Sequence, residues 1–129
     1  MRSERTKLYF DGGCRPNPGP METAVVVRGE THIRTGLHIG GNDEAEWLAL
    51  IHAAEIAIAL QLRDVTFIGD SALIVHQAQG RWKCRSAEFS LCLDTFRALA
   101  LHLPQMRLRH VPRARNLAGI ALELRHRGL

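Results

Sequence analysis

The sequence predicts an α/β domain built on one five-stranded mixed sheet, three antiparallel strands followed by two parallel ones, with helices on its faces. Three short β-branched or apolar runs come first, and the later two are joined by a gap of turn length, the pattern of an antiparallel meander. Two later strand-length runs, at residues 65–68 and 106–111, are each preceded by helix-length segments, the pattern of parallel crossover units. A third observation sets the scale. A chain of 129 residues with 46% hydrophobic content suffices for one core, and no repeat or low-complexity tract divides it, so residues 1–129 are read as a single domain.

Each element has its own signal. Residues 7–11 read as the first strand, and the Gly/Pro-rich stretch 12–20 as a loop, because proline lacks a ladder donor and glycine weakens a strand interior. Residues 24–28 and 31–39 are β-branched runs joined by Gly29-Glu30. Asn42 then offers a helix N-cap, with Asp43 and Glu44 in the favoured acidic first turn. The helix that follows, to Leu60, is apolar nearly all round, so it should be packed on several sides near the centre of the fold. Residues 65–68 are a continuous apolar strand, 72–79 a helix, and Ser86 caps a further helix to about Leu101. Residues 106–111 form the last strand and roughly 115–126 the final helix.

A formal charge of +4 and a pI near 9.5 favour a polyanionic partner only modestly. The distribution says more. Arg107, Arg109, Arg113, Arg115, Arg125 and Arg127 stand against one acid, Glu123, in residues 107–129, while Arg81, Lys83 and Arg85 surround Trp82. A basic stripe beside an aromatic is a common way to hold a phosphate backbone, although a solvated helix face and a loop share that composition. No apolar run reaches the ~18–20 residues of a membrane span, and the polar start Met1-Arg2-Ser3-Glu4-Arg5 carries no signal core. A soluble, cytoplasmic monomer with no membrane partner is expected. Cys14, Cys84 and Cys92 form no CxxC pair, which suits reduced thiols better than a disulfide framework or a zinc site.

The chemistry points to three acids. Asp11 ends the first strand, Glu46 lies in the first turn of the long helix, and Asp70 ends the fourth strand. Strand ends and helix starts are where a sheet gathers side chains from distant sequence into one crevice. Three carboxylates so gathered repel one another unless hard cations neutralise them, and oxygen-only ligands suit Mg²⁺ or Mn²⁺. Taken singly, each acid has a plainer alternative: Asp11 as a turn former, Glu46 as a dipole partner, Asp70 as a helix cap.

Four motifs in order along nearly the whole chain resemble the type 1 ribonuclease H family. They are Asp11-Gly12-Gly13-Cys14-Arg15-Pro16-Asn17-Pro18-Gly19; Asn42-Asp43-Glu44-Ala45-Glu46; Asp70-Ser71 with Gln77, Gly80, Trp82 and Lys83; and Val111-Pro112-Arg113-Ala114-Arg115-Asn116. The family's basic protrusion is missing, as in a short form. The resemblance implies an RNase H-like fold with helices on both faces of the sheet, and cleavage of the RNA strand of RNA/DNA hybrids with two Mg²⁺ or Mn²⁺ ions. It implies catalytic and metal-binding roles for Asp11, Glu46 and Asp70, and substrate contacts from Gly12, Cys14, Asn17, Asn42, Ser71, Trp82, Lys83 and Arg113.

One departure bears on the chemistry. The family has a fourth carboxylate four residues after the Asn of its last motif, and here that position is Ile120, which cannot ligate a metal. Asn116 and Glu123, one turn to either side, are the candidate substitutes, with helix cap and solvated acid as their plainer readings. Ala72 replaces a residue that is often polar, and Met21-Glu22-Thr23 replaces a Gly-rich strand start. His110 reads as a partly buried strand residue and His126 as a solvated one, with a weaker reading of His126 as a phosphate or product-release contact. Two other functions remain open on sequence alone: a module that binds hybrid or double-stranded RNA without efficient cleavage, and another nuclease type on the same scaffold.

Overall fold

The computed structural model describes residues 4–128; Met1–Ser3 of the polar start, and Leu129, lie outside the described residues. The elements are β1 (Arg5–Cys14), β2 (Gly19–Val27), β3 (Glu30–Arg34), β4 (Ile39–Gly40), α1 (Asn42–Ala59), β5 (Asp64–Gly69), α2 (Ala72–Ala78), α3 (Ala87–Ala100), β6 (Gln105–His110) and α4 (Leu117–His126), with a 3-10 turn at Arg113–Arg115 before α4. The strand order is β3-β2-β1-β5-β6, with β4 paired to the start of β2. The β1/β2 and β2/β3 pairs are antiparallel; β1/β5 and β5/β6 are parallel.

The sheet therefore has six strands rather than five. The run 31–39 is split because Gly36 takes a positive φ of 64°, a left-handed turn that ends β3 and lets β4 return to β2 at Gly19 and Pro20. The loop after the first strand is also shorter than the Gly/Pro content suggests. β1 continues through Gly12 and Gly13 to Cys14, each paired with β2, so only residues 15–18 lie outside the ladder. Gly12 serves close approach rather than a turn: a Cβ there would lie 2.1 Å from the Ala45 carbonyl oxygen.

Alternation along the strands builds a core on each face. Leu8 and Phe10 of β1, Val25 and Val27 of β2 and Phe67 of β5 point to the side covered by α1, α2 and α3, where Trp47, Leu50, Ala53 and Phe96 are buried against them. Phe67 and Phe96 meet edge to face, with ring centroids 5.9 Å apart. The opposite residues, Tyr9, Ala24 and Val26, pack under Ala118 and Leu122 of α4. The expected several-sided packing of α1 is met, since it touches β1, β2, β5, α2 and α3.

Two helix starts differ from the sequence expectation. Gly41, not Asn42, is the N-cap of α1, so Glu46 is its fifth residue and stands in the second turn. Asn42 is the first helical residue, and its side-chain oxygen instead accepts from the Cys14 amide at 3.1 Å. At the other end of the chain, Asn116 caps α4 by accepting from the Ala118 amide, which ends the preceding 3-10 turn and delays the helix to Leu117.

Candidate active site

The register of β1 and β5 accounts for half the site. Their last paired residues are Tyr9 and Ile68, so Asp11 and Asp70 each stand two residues further along adjacent parallel strands. Glu46 reaches the same place from α1 because Gly12 lets the helix pack against the strand. One oxygen from each of Asp11, Glu46 and Asp70 can be chosen so that all lie within 4.8 Å of one another. The trio lines an open cleft of about 760 Å³ together with Asn42, Ser71, Arg113, Gly119, Ile120 and Glu123, among others.

Protein donors hold Glu46 and Asp70 in place. The Gly12 amide donates to Glu46 Oε1 at 2.7 Å. The Asn116 side-chain amide donates to both the Phe10 carbonyl and Asp70 Oδ2, each at 2.9 Å. Its own oxygen is occupied by the Ala118 amide, so the Asn116 amide cannot be turned round without opposing like groups. Asn116 therefore turns a donor, not a ligand oxygen, toward the acids. This is a correction to its candidacy as a metal ligand. Glu123, the other substitute, is paired with Arg15 at 2.9 Å, and Ile120 is partly exposed in the cleft wall.

The electrostatics reflect crowding. Burial is the main cause that raises the Asp11 carboxyl to about 6; the Asp70 charge adds to the rise, while hydrogen bonds to Glu46 and Gly12 and the Arg113 charge oppose it. Burial also pushes Glu46 well above the usual carboxylate range, reinforced by the charges of Asp11 and Asp70. In the free chain Glu46, and Asp11 with it, thus favours a proton more than an ordinary carboxyl does, and a cation would displace it. An all-carboxylate set with partly open surroundings fits a hard divalent cation, the class whose ligands are oxygens.

The remaining predicted contacts divide between two surfaces. Cys14 is buried, and its thiol lies 3.3–3.5 Å from the Gly40 carbonyl and from the side-chain oxygens of Asn17 and Asn42. Ser71 caps α2 by accepting from the Ile74 amide, so the cap is Ser71 and not Asp70. Trp82 and Lys83 line a separate groove with Leu73, Gln77, Arg85 and Phe89. Trp82 is half exposed and packs against His76, with ring centroids 4.5 Å apart and the ring planes tilted by 40°. His110 is exposed rather than partly buried, within 3.2 Å of the Asp70 carbonyl, and His126 contacts Glu22, which Arg125 also binds.

Sequence reasoning missed the parts played by Gln77 and Gly119. Buried Gln77 accepts from the Trp47 indole and donates to the Lys83 carbonyl, both at 3.0 Å, tying the Trp82–Lys83 loop to α1. Gly119 opens the α4 wall beside Asp11 and Asp70. Gln77 was visible as a motif member; Gly119 carried no signal, because its importance depends on which way α4 faces.

A family model described as reverse transcriptase-like matches residues 9–122. A curated ribonuclease HI from Halobacterium salinarum is 36% identical over 126 residues, 94% of this chain. The chain belongs to the type 1 ribonuclease H family. It spans 63% of the length of that halobacterial relative. The solved RNase H1 from Halobacterium salinarum superposes with a TM-score of 0.87 at 29% identity, covering 98% of this chain and 100% of that one. LC11-RNase H1, solved in complex with RNA/DNA hybrid, gives a TM-score of 0.77 at 31% identity over 87% of this chain and 88% of its own. The mixed sheet and flanking helices are thus those of the family.

Proposed function

We propose that this chain hydrolyses the RNA strand of RNA/DNA hybrids, with two Mg²⁺ or Mn²⁺ ions held at Asp11, Glu46 and Asp70. The observation that carries this reading is the convergence of three acids, from positions 11, 46 and 70, at one open cleft. A groove meant only to bind phosphate has no use for three facing carboxylates. The name of the halobacterial relative and the hybrid bound by LC11-RNase H1 support the same substrate class.

When bound, the ions would supply Lewis acidity that activates water and stabilises the charge of the phosphoryl transition state. The chain supplies the rest. Asp11, Glu46 and Asp70 are the residues that would hold the ions. The Gly12 amide and the Asn116 amide keep Glu46 and Asp70 aimed. Arg113 lines the cleft and offsets negative charge at Asp11. Glu46 serves RNA selection by ordering water toward the 2′-hydroxyl, the group that distinguishes RNA from DNA.

Substrate grip follows from the donors left free. The Asn42 oxygen is occupied by Cys14, so its NH₂ is the group offered to a duplex. Asn17 is placed alike, its oxygen near the Cys14 thiol. Amide donors suit the minor-groove acceptors that every base pair presents, which gives readout without strong sequence preference. Ser71 offers its hydroxyl along the cleft, where Gly12 and Cys14 form part of the lining, while Trp82 and Lys83 hold the backbone further out. All three acids come from one chain, in keeping with a monomer, and we read its compartment as cytoplasmic.

The test uses a hybrid labelled on each strand in turn. Wild type is expected to cut only the RNA strand in Mg²⁺ or Mn²⁺, and Asp70→Asn to lower the rate by at least about a hundredfold. Ile120 favours a second reading, a hybrid-binding module without efficient cleavage; tight binding with no cutting in either metal establishes that reading instead.

A further inference from the structure

Helix α4 walls the cleft beside Asp11 and Asp70, yet it turns no free oxygen toward them. Asn116 presents an N–H, Ile120 is aliphatic, and Glu123 is held by Arg15. Between them lies Gly119. A Cβ built there would lie 3.4 Å from Asp11 Oδ2 and 3.5 Å from Asp70 Oδ2. Those are ordinary contact distances, so an alanine would fit without displacing anything. Packing therefore does not require glycine at this position, and glycine is a poor helix former. What the missing methyl changes is access: it leaves a methyl-sized gap, open to the cleft and bordered by two carboxylate oxygens.

We propose that Gly119 is a specificity-determining position for the cation, its bare Cα admitting coordinated water on the side where α4 supplies no protein oxygen. This inference rests on reading Asp11, Glu46 and Asp70 as a cation site. Mg²⁺ demands six oxygens in near-octahedral array and dehydrates reluctantly, so it keeps several of its waters. A gap touching both aspartates accommodates such waters, and a methyl group in it would exclude them. A cation held here would keep a larger share of its own water shell than a site with a carboxylate from α4 would leave it.

Cation binding by the free, full-length chain is the direct test, with no nucleic acid present. MnCl₂ is titrated by the paramagnetic resonance signal of unbound Mn²⁺, and MgCl₂ by its effect on melting temperature. Wild type should bind both ions, with Asp70→Asn as the weakened reference. Gly119→Ala is expected to weaken both by about tenfold, with the larger loss for Mg²⁺, whose waters are harder to remove. Gly119→Ser should recover part of that loss, because its hydroxyl returns an oxygen to the gap.

Without cations, Gly119→Ala should melt at or above wild type; a collapse in stability would refute the premise that a methyl fits. Equal affinities for wild type and Gly119→Ala, with binding lost in Asp70→Asn, overturn the proposal while leaving the cation site intact. Equal affinities for wild type and Asp70→Asn overturn the cation site itself, and the proposal with it.

Discussion

At Glu46 a single carboxyl carries opposing demands. It is buried beside Asp11 and near Asp70, which pushes its proton affinity up, and it accepts from the Gly12 amide, which pulls it down. Asp11, raised to about 6 from an ordinary value of 3.8, shares the problem. The sign of the linkage is set by these upward shifts. For Asp11, stability that depends on protonation is complete below pH 4 and is lost as pH climbs through 6; for Glu46 the loss on raising the pH has the same sign. His52 works the other way: buried against the Thr23 hydroxyl at 2.8 Å and lowered to about 4 by burial, it stabilises above its ordinary 6.5 and ceases to as pH falls through 4. Metal-free Glu46→Gln should therefore be more stable than wild type at pH 8, and the gap should shrink toward pH 4. Urea denaturation in chelator across that range measures it, and a gap that grows on acidification contradicts the burial account.

Among elements, α4 shows how one residue can serve both fold and site. Asn116 caps the helix, satisfies the buried Phe10 carbonyl and steadies Asp70. Asn116→Ala should cost ~2–4 kcal/mol, the sum of a lost cap and an orphaned buried carbonyl. Thermal melting checks this; a loss under ~1 kcal/mol would mean that water replaces the amide. The element pattern was largely legible, because strand runs, cap residues and the apolar α1 are local signals. Its errors have physical causes. Gly12 and Gly13 read as loop because glycine marks both turns and close approaches, and only the position of α1 tells these apart. Asn42 read as a cap because its side chain suits one, yet the Cys14 amide, 28 residues away, claims its oxygen. The break at Gly36 is a matter of backbone sign that residue type only permits.

For the molecule as a whole, the parallel β1/β5 pairing is the decisive feature, since it sets Asp11 within β1 beside Asp70 just past the end of β5. The trio was legible because each acid stands where an apolar strand run stops or a helix begins. What surrounds it was not, because the facing of α4 and the separation of the Trp82 groove from the acidic cleft depend on tertiary packing. The same packing gives meaning to Ile120, which lines the cleft wall where the family has an acid. Ile120→Asp should raise Mg²⁺-supported hybrid cleavage several-fold, as measured by initial rates; an unchanged rate in folded protein would show that the wall position does not face the ions. The three acids themselves are tested most directly by anomalous diffraction from crystals grown in MnCl₂. The account predicts manganese within coordination distance, about 2.0–2.6 Å, of oxygens from Asp11, Glu46 and Asp70. Manganese bound elsewhere, with those three carboxylates bare at saturating concentration, would contradict it.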